Sequence, residues 1–173
     1  MITIICTTNR PDSNTLRVSE LYEKAVASNG EACQILDLKK VEAQWIQDSH
    51  YGENVPEFEE VVKKYVRDVE KLVFIVPEYN GGFPGYLKYF IDGCDYGDWN
   101  GKKVAMIGLA TGRAGNLRGV DHLTGIFHYL GSEVYSKKVY LSQVNLLLPE
   151  NGELQNEMVA SEIDTQVKGF LAF

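Results

Sequence analysis

Five short apolar runs along the chain predict buried β-strands. They cover residues 2–6, 32–36, 72–76 and 104–109, with a fifth strand inside 133–141, and most are rich in Val, Ile and Leu. The run 72–76 is apolar at every position, which is typical of a parallel strand that is covered on both faces.

Stretches with helical spacing of apolar residues separate these strands. The first helix is predicted to begin near Ser13 or Asn14, which are both favourable N-caps, and a second begins at Pro56. Further helices are predicted from the apolar spacing within residues 87–94, 117–130 and 159–171. Turns are predicted at 97–101 and 151–152, and the long segment 37–56 has no clear period.

This alternation of strands and helices predicts an α/β protein. Right-handed crossovers between successive strands require a parallel sheet with helices on both faces. Five strands favour a flavodoxin-like three-layer αβα sandwich with strand order 2-1-3-4-5. Residues 1–173 are predicted to form a single flavodoxin-like domain, since this length is sufficient for one sizeable core.

Charge and composition exclude several classes of partner. The formal net charge of −7 argues against nucleic acid and anionic membrane surfaces, which attract basic faces. No apolar run is long enough to span a bilayer, and no basic segment followed by an apolar stretch opens the chain, so we expect a cytoplasmic protein. The three cysteines are far apart and suggest buried, reduced thiols, and the histidines lack metal-ligand spacing, so no metal is expected.

The loop after the first strand contains the first candidate chemistry. Residues 7–15 read TTNRPDSNT and lead into a helix N-terminus, where free N–H groups and the helix dipole attract anions. Thr8, Ser13 and Thr15 add hydroxyl groups, and Arg10 adds a cation. The glycines of dinucleotide and Walker loops are missing, so the loop predicts a site for a terminal phosphate, with an ordinary strand–helix turn as the alternative.

Two further loops are predicted to lie beside this one. In a flavodoxin-like sheet, ligands bind outside the carboxyl ends of the strands where the strand order reverses, which brings together the loops after strands one, three and four. Gly81 and Gly82 in the second loop allow close approach of a flat ring, and their N–H groups are expected to donate to ring acceptors. The third loop, 111–116, combines small residues with Arg113. A phosphate end and a planar end in one crevice predict bound FMN.

Two motifs resemble the NADPH-dependent FMN reductase family, flavodoxin-fold oxidoreductases that include quinone, chromate and azo reductases. The run TNRPDSNT at 8–15 is similar to the family's phosphate loop G-S-x-R-x-x-S, with Thr7 at the position of its first Gly. The run PEYNG at 77–81 matches the family's ring-binding loop. The match extends along most of the chain.

The resemblance implies a set of cofactor-binding residues. Those implied for the FMN phosphate are Thr8, Arg10, Ser13, Asn14 and Thr15. Those implied for the isoalloxazine ring are Pro77, Glu78, Tyr79, Asn80, Gly81 and Gly82. Those implied to close the other side are Thr111, Gly112, Arg113 and Gly115.

The implied activity is NAD(P)H-dependent reduction through bound FMN. Hydride would pass from the nicotinamide to FMN and then to a small acceptor such as a quinone, a flavin, an azo compound or a metal oxyanion. Because the cofactor carries this chemistry, no catalytic side chain is assigned. A flavodoxin-type electron carrier and a non-catalytic FMN-binding protein are the alternatives. The resemblance also implies a homodimer or homotetramer, to which the segment 37–56 is a candidate contributor.

Overall fold

A twisted parallel sheet forms the centre of the protein. The computed structural model describes residues 1–148 and 156–173. The strands are β1 Ile2–Cys6, β2 Cys33–Asp37, β3 Lys71–Pro77, β4 Lys103–Leu109, β5 Glu133–Val134 and β6 Val139–Leu141. Their order is β2-β1-β3-β4-β5, with β6 also paired to β4, and every pairing is parallel. The predicted flavodoxin-like fold and strand order are therefore confirmed.

Helices cover both faces of the sheet. They are α1 Asn14–Ser28, α2 Ala43–His50, α3 Pro56–Val62, α4 Gly85–Gly93, α5 Tyr96–Trp99, α6 Leu117–Tyr129, α7 Val144–Leu147 and α8 Glu157–Ala172. A 3₁₀ turn at Leu38–Lys40 and a π turn at Lys63–Arg67 complete the regular structure of the described residues.

Two apolar cores separate the layers. On β3, Phe74 packs into the core beneath α2, α3, α4 and α6, whereas Val73 and Ile75 pack into the core beneath α1 and α8. This alternation is the period-2 geometry of a strand whose two faces are both covered. The central strands are therefore held from both sides, and their carboxyl ends are fixed relative to one another.

The structure corrects three details of the predicted elements. The segment 37–56 contains α2. Of the turn predicted at 97–101, residues 97–99 belong to α5, which begins with a reciprocal capping box of Asp95 and Asp98, and residues 100–101 form a turn. The fifth strand is split into β5 and β6. Gln166 of α8 reaches this interruption, because its amide Nε2 donates to the carbonyl oxygens of Met106 (2.9 Å) and Lys137 (2.8 Å). The turn predicted at 151–152 lies outside the described residues.

Candidate functional site

A cleft of about 480 Å³ lies at the carboxyl ends of β1, β3 and β4. The loops that follow these three strands contribute to its walls, and α7 contributes a further wall. The lining residues are Arg10, Asp12, Ser13, Asn14, Thr15, Pro77, Glu78, Tyr79, Asn80, Leu109, Ala110, Thr111, Val144 and Asn145. The sheet topology thus brings together segments that are far apart in sequence.

The first loop ends in a row of unpaired backbone donors. Ser13 is the N-cap of α1, and its side-chain oxygen accepts a hydrogen bond of 3.2 Å from the amide of Leu16. In the part of the chain that the structure describes, the amide N–H groups of residues 12–15 have no hydrogen-bond acceptor. All four residues line the cleft, and Asp12 has a left-handed φ of 49°. Consecutive free N–H groups at a helix N-terminus are suited to an anion.

A hydrogen bond joins the first loop to the second. The hydroxyls of Thr8 and Tyr79 lie 2.6 Å apart, and Thr8 Oγ1 also accepts a 3.2 Å bond from the amide of Arg10. Thr8 is only 1% exposed and does not line the cleft. Thr7 is also buried, and its hydroxyl donates to the carbonyl of Ile75 at 2.8 Å. Both threonines therefore fix the loop to its surroundings.

The second loop makes a tight turn over Tyr79–Gly82. The amide of Tyr79 donates to the carbonyl of Gly82 at 2.9 Å, and the amide of Gly82 donates back at 3.0 Å. The central residues Asn80 and Gly81 have φ of 52° and 80°, as in type I′ turns. The N–H of Gly82 is therefore used within the turn and is not available to a ring, contrary to the sequence-based expectation. The amides of Asn80 and Gly81 have no acceptor in residues 1–148 and 156–173.

The third loop braces the second. Asn116, which is 1% exposed and has a φ of 66°, donates through Nδ2 to the carbonyls of Val76 (3.1 Å) and Pro77 (3.0 Å). A Cβ added to Gly119 would lie 2.7 Å from the carbonyl carbon of Gly82. The first turn of α6 therefore packs directly on the backbone of the second loop, and only glycine fits there.

Nine of the predicted site residues line the cleft: Arg10, Ser13, Asn14, Thr15, Pro77, Glu78, Tyr79, Asn80 and Thr111. Six do not: Thr8, Gly81, Gly82, Gly112, Arg113 and Gly115. The third loop contributes only Thr111 of its predicted residues, and Gly115, at φ 56°, packs on Tyr140 of β6. Residues 111–114 of this loop are exposed to solvent, whereas Gly115 and Asn116 are buried.

Sequence reasoning missed five residues that line the cleft: Asp12, Leu109, Ala110, Val144 and Asn145. Leu109 ends β4 and Ala110 comes directly after it, so the position of the strand accounts for both. Helix α7, however, has only four residues and gives no periodic signal. Its docking depends on long-range bonds, from the amide of Val144 to the carbonyl of Ala110 (3.0 Å) and from that of Gln143 to Gly112 (2.8 Å).

The three cysteine thiols are not activated as nucleophiles, because burial raises their pKa values. Burial, reinforced by the charge of Asp37, raises the pKa of the Cys6 thiol to about 12. Burial also raises the pKa values of Cys33 and Cys94. Among the described residues, no group of three or more His, Cys, Asp or Glu side chains is arranged to hold a metal ion. No helix within 1–148 and 156–173 combines the length and apolarity needed to cross a membrane.

The family model of the NADPH-dependent FMN reductases matches residues 1–145. The chain belongs to this family. As a member of the NADPH-dependent FMN reductases it is an oxidoreductase that uses FMN as cofactor and NAD(P)H as co-substrate. The resemblance carried by the two loop motifs is thereby confirmed at the level of the family.

Several known proteins resemble this FMN reductase family member. A 2-hydroxy-1,4-benzoquinone reductase of a Burkholderia species is 27% identical over 128 residues, which cover 71% of this chain and 70% of the relative. A quinone reductase of Escherichia coli (strain K12) is 28% identical over 137 residues, with coverage of 73% and 70%. The solved flavoenzyme NAD(P)H:(acceptor) oxidoreductase FerB of Paracoccus denitrificans shares the fold with a TM-score of 0.81 at 22% identity, covering 99% of this chain and 94% of that one.

The cleft fits the cofactor of the FMN reductases. The unpaired amides of residues 12–15 and the guanidinium of Arg10 match the requirements of a phosphate group. The unpaired amides of Asn80 and Gly81 lie in the run PEYNG at 77–81, which resembles the ring-binding loop of the family. The cleft volume is also within the usual range for small-molecule sites.

Proposed function

We propose that the protein catalyses the NAD(P)H-dependent reduction of a small acceptor through FMN bound in the cleft at the ends of β1, β3 and β4. The acceptor class comprises quinones, free flavins, azo compounds and metal oxyanions, and a quinone is favoured because relatives carry the names of quinone reductases. FMN held there would supply the chemistry of two-electron transfer between NAD(P)H and the acceptor.

The row of unpaired amides at residues 12–15 is the observation that carries this proposal. It supports binding of the FMN phosphate at the N-terminus of α1, aided by the side chains of Arg10, Ser13, Asn14 and Thr15. The ring would then extend toward the second loop, with Pro77, Glu78, Tyr79 and Asn80 on one side and Thr111 on the other. Thr8, Gly81, Gly82, Gly112, Arg113 and Gly115 support these contacts from outside the lining.

The protein's own contribution is positioning and electrostatic stabilisation. The hydrogen bond between Thr8 and Tyr79 and the two bonds from Asn116 hold the loops rigid, so the donors need not reorganise during reaction. The amide N–H group of Asn80, which lines the cleft, is suited to stabilise negative charge that develops on a bound ring. No side chain is assigned to acid–base chemistry.

FMN titration followed by turnover tests this function. We expect purified protein to quench FMN fluorescence on binding, and the loaded protein to oxidise NADH or NADPH when a benzoquinone is supplied. Arg10→Ala should weaken FMN binding by about tenfold, since a charge-assisted contact to the phosphate is lost. A protein that binds FMN but oxidises neither nucleotide would be an electron carrier instead, and one that does not bind FMN would contradict the proposal.

We also propose a homodimer or homotetramer. Tyr96 (55% exposed) and Tyr129 (83% exposed) lie with Ile126 along an open groove between α4 and α6, and exposed apolar surface of this kind favours association. Light scattering at micromolar concentration should give a mass of two or four chains, and a monomer would contradict this.

A further inference from the structure

Helix α7 brings an asparagine to the phosphate end of the cleft. Asn145 lines the cleft, yet it follows β6 and belongs to none of the loops after β1, β3 or β4. Its Oδ1 accepts a hydrogen bond of 2.7 Å from Nδ2 of Asn14, the first residue of α1. Asn145 is therefore adjacent to the residues whose amides are unpaired.

The chemistry of Arg17 fixes the orientation of both asparagines. A guanidinium group can only donate, and NH1 of Arg17 lies 3.2 Å from Oδ1 of Asn14 and 3.1 Å from the carbonyl oxygen of Leu148. The amide oxygen of Asn14 must therefore face Arg17, which turns its NH₂ group toward Asn145. Asn145 must therefore accept this hydrogen bond through Oδ1, and its own NH₂ group is turned away from Asn14.

This order leaves a donor at the end of the chain of hydrogen bonds. Nδ2 of Asn145 has no acceptor among the residues that the structure describes. A cationic donor at the start of such a chain polarises the bonds that follow and strengthens the last donor. The adjoining amides of residues 12–15 and the guanidinium of Arg10 present donors only, so an acceptor-rich anion is the complementary ligand.

We propose that Asn145 is a further binding residue for the phosphate of FMN, donating from Nδ2, and that Arg17 acts through Asn14 as its positioning residue. The proposal rests on the proposed function, because it assigns a ligand group to the same cleft. It adds a contact from α7 to a phosphate site that is otherwise made by the loop after β1.

The substitution Asn145→Asp removes this donor and so tests its role in phosphate binding. The aspartate keeps an oxygen that can accept from Asn14, but replaces the NH₂ group by an anionic oxygen that repels phosphate. We expect the affinity for FMN to fall by about tenfold or more, because a hydrogen bond to a charged group is lost and a like charge is added. Affinity for riboflavin, which lacks the phosphate, should not change. Fluorescence quenching measures both at pH 8 and equal ionic strength.

Gln143→Glu is the matched control. It makes the same change from amide to carboxylate two residues away, on an exposed side chain that does not line the cleft. We expect it to keep the wild-type ratio of FMN to riboflavin affinity. The inference is overturned if Asn145→Asp keeps that ratio, or if Gln143→Glu lowers it equally. Failure of the wild-type protein to bind FMN would instead overturn the proposed function, and this inference with it.

Discussion

The hydroxyl pair of Thr8 and Tyr79 shows how single residues determine the shape of the cleft. The two oxygens are 2.6 Å apart although the residues are 71 positions apart in sequence. Thr8 uses the same oxygen to accept from the amide of Arg10, so one buried atom holds the backbone of the first loop and the side chain of the second. The ring of Tyr79 therefore has a fixed position on the cleft wall.

Removing one hydroxyl should loosen both loops. For Tyr79→Phe we expect the free energy of unfolding to fall by about 1 kcal/mol, the usual net value of one hydrogen bond, together with weaker FMN binding. Urea denaturation and FMN titration measure these effects. Thr8→Val should cost more, since the amide of Arg10 also loses its acceptor.

The double variant provides the check on this pair. When Tyr79→Phe is added to Thr8→Val, little further stability should be lost, because the shared hydrogen bond is already gone. Fully additive effects would show that the two hydroxyls do not interact in solution.

Among the elements, α6 depends on one small residue for its contact with the second loop. A Cβ at Gly119 would lie 2.7 Å from the carbonyl carbon of Gly82 and 2.8 Å from the amide nitrogen of Phe83. These are backbone atoms of the second loop and its continuation, so the contact can be relieved only by moving that loop or the helix.

Gly119→Ala should therefore reduce stability by about 1–3 kcal/mol, the usual cost of overpacking, and should weaken FMN binding by shifting the second loop. Gly125→Ala is its control on the same helix, because a Cβ there meets nothing within 4 Å. That substitution should be neutral or stabilising by up to about 1 kcal/mol, since alanine favours a helix. Equal losses in thermal unfolding for the two variants would contradict the proposed packing.

The elements also show what local sequence can predict. The N-cap Ser13, the apolar period of α1 and the apolar run of β3 are local signals, and they place these elements within one residue. Gln166, which is distant in sequence, donates hydrogen bonds at the split of the fifth strand. Helix α7 is held by bonds from Val144 to Ala110 and from Asn14 to Asn145. Such long-range causes leave no local pattern.

At the scale of the whole molecule, the rules for parallel sheets predicted where the cleft lies. Strand order alone brings the three loops to one edge, and nine predicted residues do line the cleft there. The geometry of the turns determines which of the other predicted residues do not contribute to the cleft as expected. The amide of Gly82 is used within its own turn, and Gly115 turns the third loop toward Tyr140, which neither composition nor motif spacing reveals.

An ion-pair network ties distant parts of the molecule together and gives stability a pH dependence. Arg67, at the end of the π turn, donates to both carboxylate oxygens of Glu59 on α3 and, at 2.6 Å, to Asp98 of α5. Asp98 is only 3% exposed, and the hydrogen bond from Arg67 offsets part of the cost of burying its carboxylate. The hydrogen bonds from Arg67 hold the pKa of Glu59 below its usual value.

A lowered carboxyl pKa stabilises the folded state above the unfolded-state pKa of about 4.3 and loses this effect as the pH falls through the folded-state value. Glu59→Gln should therefore be less stable than wild type at pH 7 by less than about 1 kcal/mol, because Glu59 is exposed. The difference should vanish in acid. Urea unfolding from pH 7 down to pH 3 measures it, and a difference that does not depend on pH would contradict the assignment.

The late position of α7 has a consequence for biosynthesis. Val144 and Asn145 complete one wall of the cleft, yet they follow every strand of the described sheet. A nascent chain therefore finishes its sheet before this wall exists. Capture of the proposed flavin therefore requires synthesis to continue through α7, and a product truncated before Val144 carries an incomplete pocket.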